Sequence, residues 1–308
     1  MTVRTPLLPR RLVAPALAAL AVFIPLALGP MASAGVVLTG RVPAAGANLL
    51  VLRNSVGTIR IKASAPTTEA AITVRVRARC RNTVDFFGML HWGWGSSCKT
   101  LPRGLVLVSS LHGKTLRLGL NAAGGGSPRH IHEDWTILLP SRFGARIHEG
   151  VGKVQITGLK GEIALHVGVG AITLIGLGSG HLAIHDGVGT ITARGLRLPA
   201  AETEIRLHSG VGAVRIRLAS VPPAARGRIV VHTGVGAIDV AGLPCHLARL
   251  AVRTGTGGVT ASSRPAGFSL HRSLIGASLT GTSGTGLDVR LQAGTGSIDV
   301  GWSKTHCP

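Results

Sequence analysis

The stretch LHVGVGAITLIGLGSGHLAIHDGVGTITARGL, residues 165–196, nearly states one phrase twice. Each copy has a His, one further residue, Gly-Val-Gly, a short run with alternating apolar residues, and a Gly-Leu turn. The first five steps between such Gly-x-Gly phrases are 18, 19, 23, 24 and 21 residues, and the last gap of 39 is about two periods. A period near 20 residues predicts stacked structural units rather than a single globular core. The phrases begin at Gly150, Gly168, Gly187, Gly210, Gly234, Gly255 and Gly294.

Within each unit the apolar residues alternate with polar or small ones. Ile163 and Leu165 precede the glycines of one unit and Ile172 and Leu174 follow them, with His166 among the residues between. Alternation bounded by glycine turns predicts two short strands per unit, with the apolar side inward. We therefore predict an all-β fold, a β-solenoid or two-sheet β-roll with coils of roughly 20 residues. A hairpin-connected sandwich is the alternative, but it gives no reason for the phrase to recur.

The chain divides into three parts. Residues 1–34 begin with a positive segment containing Arg4, Arg10 and Arg11, followed by an apolar run and a small-residue cleavage site before Gly35. They predict a cleaved signal peptide and a periplasmic, secreted or cell-surface protein. Residues 35–140 hold one early copy of the phrase and alternating runs, which predict an N-terminal β capping region that protects the open end of the stack. We assign residues 141–308 to the repeat β-solenoid. A worn copy of the unit is expected near Leu274.

An even number of cysteines in an exported chain predicts disulfide bonds. Sequence does not fix the pairing, although proximity along the chain favours Cys80 with Cys98 and Cys245 with Cys307. No two of them form the Cys-x-x-Cys spacing that redox or zinc sites use.

The charge is strongly basic, with 33 Lys and Arg against 12 Asp and Glu; removal of the three leader arginines leaves 30 against 12. Such a surface attracts anionic polymers, with an attraction that salt screens. We find no nucleic-acid motif, so an anionic envelope glycan or cell-surface polymer is the expected partner. The outward arginines predicted to contact it are Arg60, Arg75, Arg77, Arg79, Arg206, Arg215, Arg217, Arg253 and Arg290.

A histidine stands two residues before five of the Gly-Val-Gly phrases, and Arg253 and Gln292 occupy the same position in later units. Alternation places this position on the outer surface, and stacking brings equivalent residues about 4.8 Å apart. The predicted histidine column therefore suggests zinc or copper binding as an alternative function, with Glu149 and Asp186 as possible added oxygen ligands. Its close rings also suggest staged protonation as pH falls. The column comprises His148, His166, His185, His208 and His232; His130 and His132 form a second candidate metal pair.

The sequence favours a non-catalytic protein without a cofactor. Glycoside hydrolysis usually needs a carboxylate pair. Here the acids are few and scattered, with Asp239 and Asp299 expected two coils or more apart. Gly-x-Ser-x-Gly is missing, and the Gly-x-Gly phrases lack the strand-to-helix setting of a phosphate loop. A purely structural envelope protein is a further alternative.

Three elements in order carry a family resemblance: an early NSVGTIRI, a WTILLPSRFGARI lead-in, and iterated His-x-Gly-Val-Gly-x-Ile units. The chain resembles, over roughly residues 47–300, the bacterial putative-adhesin family of domain-of-unknown-function 4097 type, with autotransporter-head-like β-solenoid repeats. The resemblance implies a β-solenoid in the envelope or secreted space and carries no catalytic residues. This chain departs from that pattern at the corner, where Gly-Val-Gly with a preceding His replaces the usual Ser-Gly-Asp.

Overall fold

The computed structural model describes residues 35–64, 71–80, 101, 104–122, 131–262, 265, 267–272, 276–282 and 286–303. Every regular element in these ranges is a β-strand, which confirms the all-β prediction. In the same ranges no helix has the length and apolar character needed to cross a bilayer. The predicted signal peptide, residues 1–34, lies outside the described part of the chain.

The body of the molecule is a stack of parallel coils, as predicted for a β-solenoid. A coil is either one long strand that bends in its middle or two strands separated at the bend. In order along the stack the coils are β2 (Leu49–Ser64), β7 (Gly144–Thr157), β8 (Ile163–Ile175), β9 (His181–Arg197), β10 (Glu202–Ser220), β11 with β12 (Arg226–Val235, Ile238–Leu243), β17 with β18 (Leu287–Thr295, Ile298–Trp302), and β13 with β14 (Leu247–Thr256, Val259–Ser262).

Additional strands cover the two ends of this stack. At the β2 end, β5 (Thr115–Asn121) and β6 (Ile131–Pro140) pair in parallel with the two halves of β2. The strands β4 (Val106–His112), β3 (Ala71–Cys80) and β1 (Val36–Pro43) then continue them in antiparallel pairings. At the other end, β16 (Ala277–Gly281) runs antiparallel to β13, and β15 (Phe268–Arg272) runs antiparallel to β16.

Spatial order departs from chain order near the C-terminus. The last unit, β17 with β18, lies between the two units that precede it in sequence, since Leu291 is in register with Val231 on one side and Val252 on the other. The prediction of a further copy of the unit near Leu274 is wrong. In the described residues this stretch contains β16, which runs antiparallel to β13 and is therefore not a coil of the parallel stack. Because β16 covers β13, it ends the parallel stack on the first half of the last coil.

The bend of each coil depends on the two glycines of the repeated phrase. The second glycine of β8, Gly170, has φ +154°, and a Cβ there would overlap the carbonyl oxygen of Gly152 in the coil below. A Cβ on the first glycine, Gly168, would lie 2.6 Å from the carbonyl oxygen of Gly150. Only glycine allows both the backbone angle and the close approach of successive coils, which confirms the predicted role of the phrase.

The core is built from rows of aliphatic side chains, one from each coil. The alternation predicted for each unit is observed, because Leu165, Ile172 and Leu174 are fully or almost fully buried. Register places each of them against its equivalents in neighbouring coils. The row through Leu165, for example, contains Leu52, Ile147, Ile184, Leu207, Val231, Leu291 and Val252.

Candidate functional site

The predicted histidine column is present on the first half of the coils. The rings of His148, His166, His185, His208 and His232 stack with centroids 4.7–5.0 Å apart and interplanar angles of 2–10°. In-register parallel pairing sets this spacing, because equivalent residues of adjacent coils are separated by one strand-to-strand distance. We call these five residues the His stack.

Cationic and polar residues continue the column beyond the His stack. Arg53 is in register with His148 at one end, and Gln292 followed by Arg253 continues from His232 at the other. The predicted positions of Arg253 and Gln292 in the column are therefore confirmed, although the order in space is reversed. Burial lowers the pKa of His208, and the neighbouring His185 and His232 lower it further, because like charges disfavour one another.

Two of the stack histidines are followed directly by an acidic residue, and these acidic side chains point into the protein, away from the His stack. Glu149 and Asp186 each follow a stack histidine directly and are fully buried. The idea that they add oxygen ligands beside the histidines is therefore wrong, because alternation sends adjacent side chains to opposite faces of a strand. Inside the corner they join an inner column of small or polar side chains: Asn54, Glu149, Val167, Asp186, Ser209, Thr233, Ala293 and Thr254.

One end of the inner column is a hydrogen-bonded network. The Asn54 side-chain amide donates to Glu149 Oε2 at 2.9 Å and to the backbone oxygen of Glu133 at 3.2 Å, and Trp135 Nε1 donates to Glu133 Oε2 at 2.9 Å. Burial raises the pKa of Glu149 to about 8, opposed by the Asn54 hydrogen bond and reinforced by the nearby charge of Glu133. Burial also raises the pKa of Glu133. Glu149 is therefore mainly a neutral carboxylic acid at pH 7.

Asp186 occupies the same inner position two coils further along. Neither of its carboxyl oxygens has a hydrogen-bond partner, and burial raises its pKa to about 6. Thr233, in the equivalent position of another coil, donates its hydroxyl to the corner carbonyl oxygen of Gly212 in the neighbouring coil at 3.3 Å. A protonated Asp186 offers a similar hydroxyl. Taking up a proton is therefore the least costly way to bury this residue.

Metal binding by the His stack stays a prediction, and the ring geometry sets its requirements. The nitrogen lone pairs lie in the ring planes, so those of parallel rings point along parallel lines and do not converge on one ion. Zinc needs nitrogens at about 2.0–2.1 Å, so two rings of the stack must rotate to share it. Within the described residues, no group of three or more His, Cys, Asp and Glu is arranged to hold a metal ion.

The second predicted histidine pair is only half described. His130 lies outside the described residues, and His132 is on β6 beside the other half of the coils. Nε2 of His132 lies 3.1 Å from Asp134 Oδ1 and 3.1 Å from Arg79 Nη2. This ring nitrogen is already engaged in a local polar cluster, which lies beside the second half of the coils, whereas the His stack is on the first half.

The nine predicted arginines are all exposed, but they do not form one face. Three of them, Arg206, Arg253 and Arg290, lie on the His side of the corner. The others lie beyond the corner, on the second half of the coils or on β3: Arg60, Arg75, Arg77, Arg79, Arg215 and Arg217.

Acidic neighbours partly neutralise this set. Arg79 pairs with Asp134 at 3.0 Å and Arg290 with Asp288 at 2.8 Å, and Arg206 pairs with Glu204. Both terminal nitrogens of Arg217 donate to the two carboxyl oxygens of Asp239, an interaction that raises the pKa of Arg217. Arg60, Arg75 and Arg77 lie on neighbouring strands of one outer face, where Asp134, the partner of Arg79, is in register with Arg77. Arg60 and Arg75 are both in register with Thr136.

Two further outward columns lie next to the His stack and were not predicted from the sequence. The middle valine of each phrase is about half exposed and forms a ridge of Val151, Val169, Val188, Val211 and Val235. Two residues before the histidines, Ala164 and Ala183 form a shelf between Arg146 and Arg206. The same alternation that located the histidines would have found both columns, had every outward position of the unit been aligned.

The order of the last units also corrects the predicted separation of two aspartates. Asp239 and Asp299, expected two coils or more apart, are register partners on adjacent coils. Asp239 is held by Arg217, and Asp299 contacts the Thr260 hydroxyl. Both lie on the outer surface of the strands.

The described cysteines agree with an oxidised chain. Neither Cys80 nor Cys245 is a free thiol. Cys98 and Cys307 lie outside the described residues, so the pairing favoured by the sequence stays a prediction.

Comparison with known proteins does not assign this chain to a family. No protein-family model matches the sequence, and no curated protein matches it. Two solved structures are similar to it at low identity. One is a putative cell adhesion protein from Clostridium sporogenes, 13% identical, with a TM-score of 0.33 over 87% of this chain and 100% of that one. The other is a putative adhesin from Bacteroides fragilis, 14% identical, with a TM-score of 0.42 over 86% and 96%. The family resemblance stays a prediction.

Proposed function

We propose that this protein is an exported, non-catalytic, adhesin-like β-solenoid that binds anionic polymers of the cell envelope or surface. The observation that carries the proposal is the cluster of Arg60, Arg75 and Arg77 on one outer face, which we call the arginine cluster. Its strands belong to a hydrogen-bonded sheet, so the cationic groups are held at fixed spacings and lose little backbone freedom on binding.

Overall charge supports the same conclusion. The chain has almost three basic side chains for each acidic one, so its long-range field attracts polyanions of any sequence. A polymer that contacts several arginines gains from multivalency without needing a deep pocket. An extended solenoid surface suits such a partner better than it suits a small substrate.

The test is binding of the mature protein to polygalacturonate, with uncharged dextran as the control polymer, in a series of NaCl concentrations. Tight binding to polygalacturonate alone, falling steeply with salt, is expected. Substitution of Arg60, Arg75 and Arg77 by Gln should weaken binding at least about tenfold. Substitution of Arg194, Arg197 and Arg226, exposed arginines elsewhere, by Gln removes the same charge and is the matched control.

Equal losses in the two triple variants would show that net charge alone drives binding and that the arginine cluster is no site. Failure of polygalacturonate to bind at low salt would overturn the proposal. Metal binding and a purely structural envelope role would then remain as the alternatives.

The second candidate function is zinc or copper binding, favoured by the five stacked rings. Titration of the mature protein with Zn²⁺ and Cu²⁺ at pH 7 tests it, beside a variant with His166, His185 and His208 changed to Gln. Micromolar binding that is lost in the variant supports a metal site on the His stack. Equal binding in both proteins, or none, rejects it.

A further inference from the structure

A shallow groove runs along the His stack, on the half of the coils that the corner separates from the arginine cluster. It has a volume of about 510 Å³, within the roughly 300–1,000 Å³ common for small-ligand sites. Its floor is the alanine shelf, its side is formed by the edges of three stack rings, and arginines stand at its ends: Ala164, Ala183, His148, His166, His185 and Arg206. Arg53 and Arg146 complete the basic end near β2.

The groove exists because of a size difference within one outward column. In successive coils from β7 to β10 this column reads Arg146, Ala164, Ala183 and Arg206. The two alanines leave an open space between two long cationic side chains that are three coils, or roughly 14 Å, apart. A ligand that lies along the stack axis therefore meets an apolar floor in its middle and a positive charge at each end.

The charge along the groove favours an anionic ligand. None of the residues that line it is acidic, whereas it includes three arginines. Two of these have acidic neighbours in the preceding outward column. Arg146 is 3.9 Å from Glu162, and Arg206 pairs with Glu204. Both arginine side chains nevertheless stay more than half exposed, at 60% and 65%, so their remaining donors are available.

The spacing of the histidine rings along the groove favours some chain-like ligands over others. The centroids of the three rings that line it are 4.8 and 5.0 Å apart, and each ring has nitrogens that can donate or accept a hydrogen bond. Side chains on one face of an extended peptide recur at roughly 6.6–6.8 Å, and nucleotides on one strand at roughly 3.4 Å. One pyranose residue of an extended glycan advances by about one ring-to-ring step of the His stack, so a chain of linked sugars matches the spacing better than a peptide or a nucleic acid does. The apolar face of a sugar ring also suits the alanine shelf.

We infer that this groove binds an acidic oligosaccharide, a short run of carboxylated sugars lying along the solenoid axis. The sugar hydroxyls contact the edges of the stack rings, and two carboxylates contact Arg146 and Arg206. This site is separate from the arginine cluster, so it goes beyond the proposed function and can fail or succeed independently.

The experiment measures binding of tetragalacturonate to the mature protein by calorimetry at pH 7. Cellotetraose, which lacks the carboxylates, and tetraglutamate, which has them on a peptide, are the comparison ligands. Tetragalacturonate is expected to bind at least about tenfold more tightly than either. Equal binding of tetraglutamate would overturn the assignment to sugars, and equal binding of cellotetraose would overturn the role of the arginines.

Matched variants locate the site. Ala183→Glu fills the groove and adds a negative charge, and should reduce tetragalacturonate affinity at least about tenfold. Thr192→Glu places the same charge on the same strand, β9, but beyond the corner, and should change the affinity less than about threefold. Circular dichroism and thermal unfolding check that both variants fold.

A second pair avoids added bulk. Arg206 lies in the groove, whereas Arg194 is an exposed arginine on the neighbouring strand, β9, beyond the corner, so Arg194→Gln is the matched control for Arg206→Gln. Only Arg206→Gln should weaken tetramer binding, about fivefold or more. Arg206→Gln should weaken tetramer binding in the background of the arginine-cluster triple variant as well, because that background lacks the other proposed site for galacturonate. Equal losses within either matched pair, or no tetramer binding by a protein that binds the long polymer, would reject the groove and leave the proposed function intact.

Discussion

Two columns of side chains, one residue apart in sequence, lie on opposite sides of the same corner. The outer column repeats one residue in five successive coils, the His stack. The inner column varies at almost every coil, from Glu149 through Val167 and Asp186 to Ser209. Packing restricts a buried position far more than an exposed one. The uniform column is therefore the one that packing does not require, which indicates either recent duplication of the units or a use for the surface.

The largest expected difference between the columns is the cost of a new charge. Asp186→Lys places an ammonium group at a position with no exposure and should destabilise the protein by about 3–5 kcal/mol. His185→Lys, one residue earlier on the outer column, should change stability by less than about 0.5 kcal/mol. Urea unfolding of both variants measures this contrast. Similar midpoints would show that the corner interior is open to water.

The inner acids should make the protein less stable as pH rises. Glu149 has a pKa of about 8 when folded and an ordinary value of 4.5 when unfolded, so unfolding releases a proton between these limits. Stability therefore falls from pH 4.5 to pH 8, by up to about 1.4 kcal/mol per unit. Glu149→Gln should flatten this dependence, as measured by urea unfolding at several pH values. Parallel curves for the two proteins would contradict a neutral buried acid.

Two valines of one coil provide a smaller contrast. Val167 is fully buried in the inner column, whereas Val169, at the tip of the corner, is 47% exposed. Val167→Ala should cost about 1.5–3 kcal/mol, and Val169→Ala less than about 0.5 kcal/mol. Thermal unfolding of the two variants is the measurement. A large loss from Val169→Ala would show that the valine ridge is covered in solution.

The smallest expected effect concerns the His stack itself. The pKa of His208 is lowered in the folded protein, so the unfolded chain takes up this proton first as pH falls below about 6.5. The contribution of His208 to stability is therefore lost as pH falls through that range. Changing His185 and His232 to Gln should move the pKa of His208 back toward its ordinary value in an NMR titration. An unchanged value would assign the shift to burial alone.

Local pattern was enough to predict much of this structure. Alternation gave the inward and outward faces, the glycine phrase gave the corner, and the common position of the histidines gave the stack. The same alternation, applied one residue further, would have placed Glu149 inside the corner instead of beside the ring of His148. The arginines were correctly predicted to face outward, but their separation by the corner was not recognised. The net charge of the chain does not say on which half of a coil each arginine lies.

The sequence by itself determined the repeat, the bend at each Gly-x-Gly phrase and the alignment of equivalent residues, because these depend on period and on backbone freedom within one unit. Only the tertiary structure decided the order of the units. Each coil offers nearly the same hydrogen-bonding edges and the same apolar row, so several orders of stacking satisfy the local pattern. Insertion of Leu287–Trp302 between two earlier coils, and with it the register pairing of Asp239 with Asp299, follows from long-range packing that no single unit encodes.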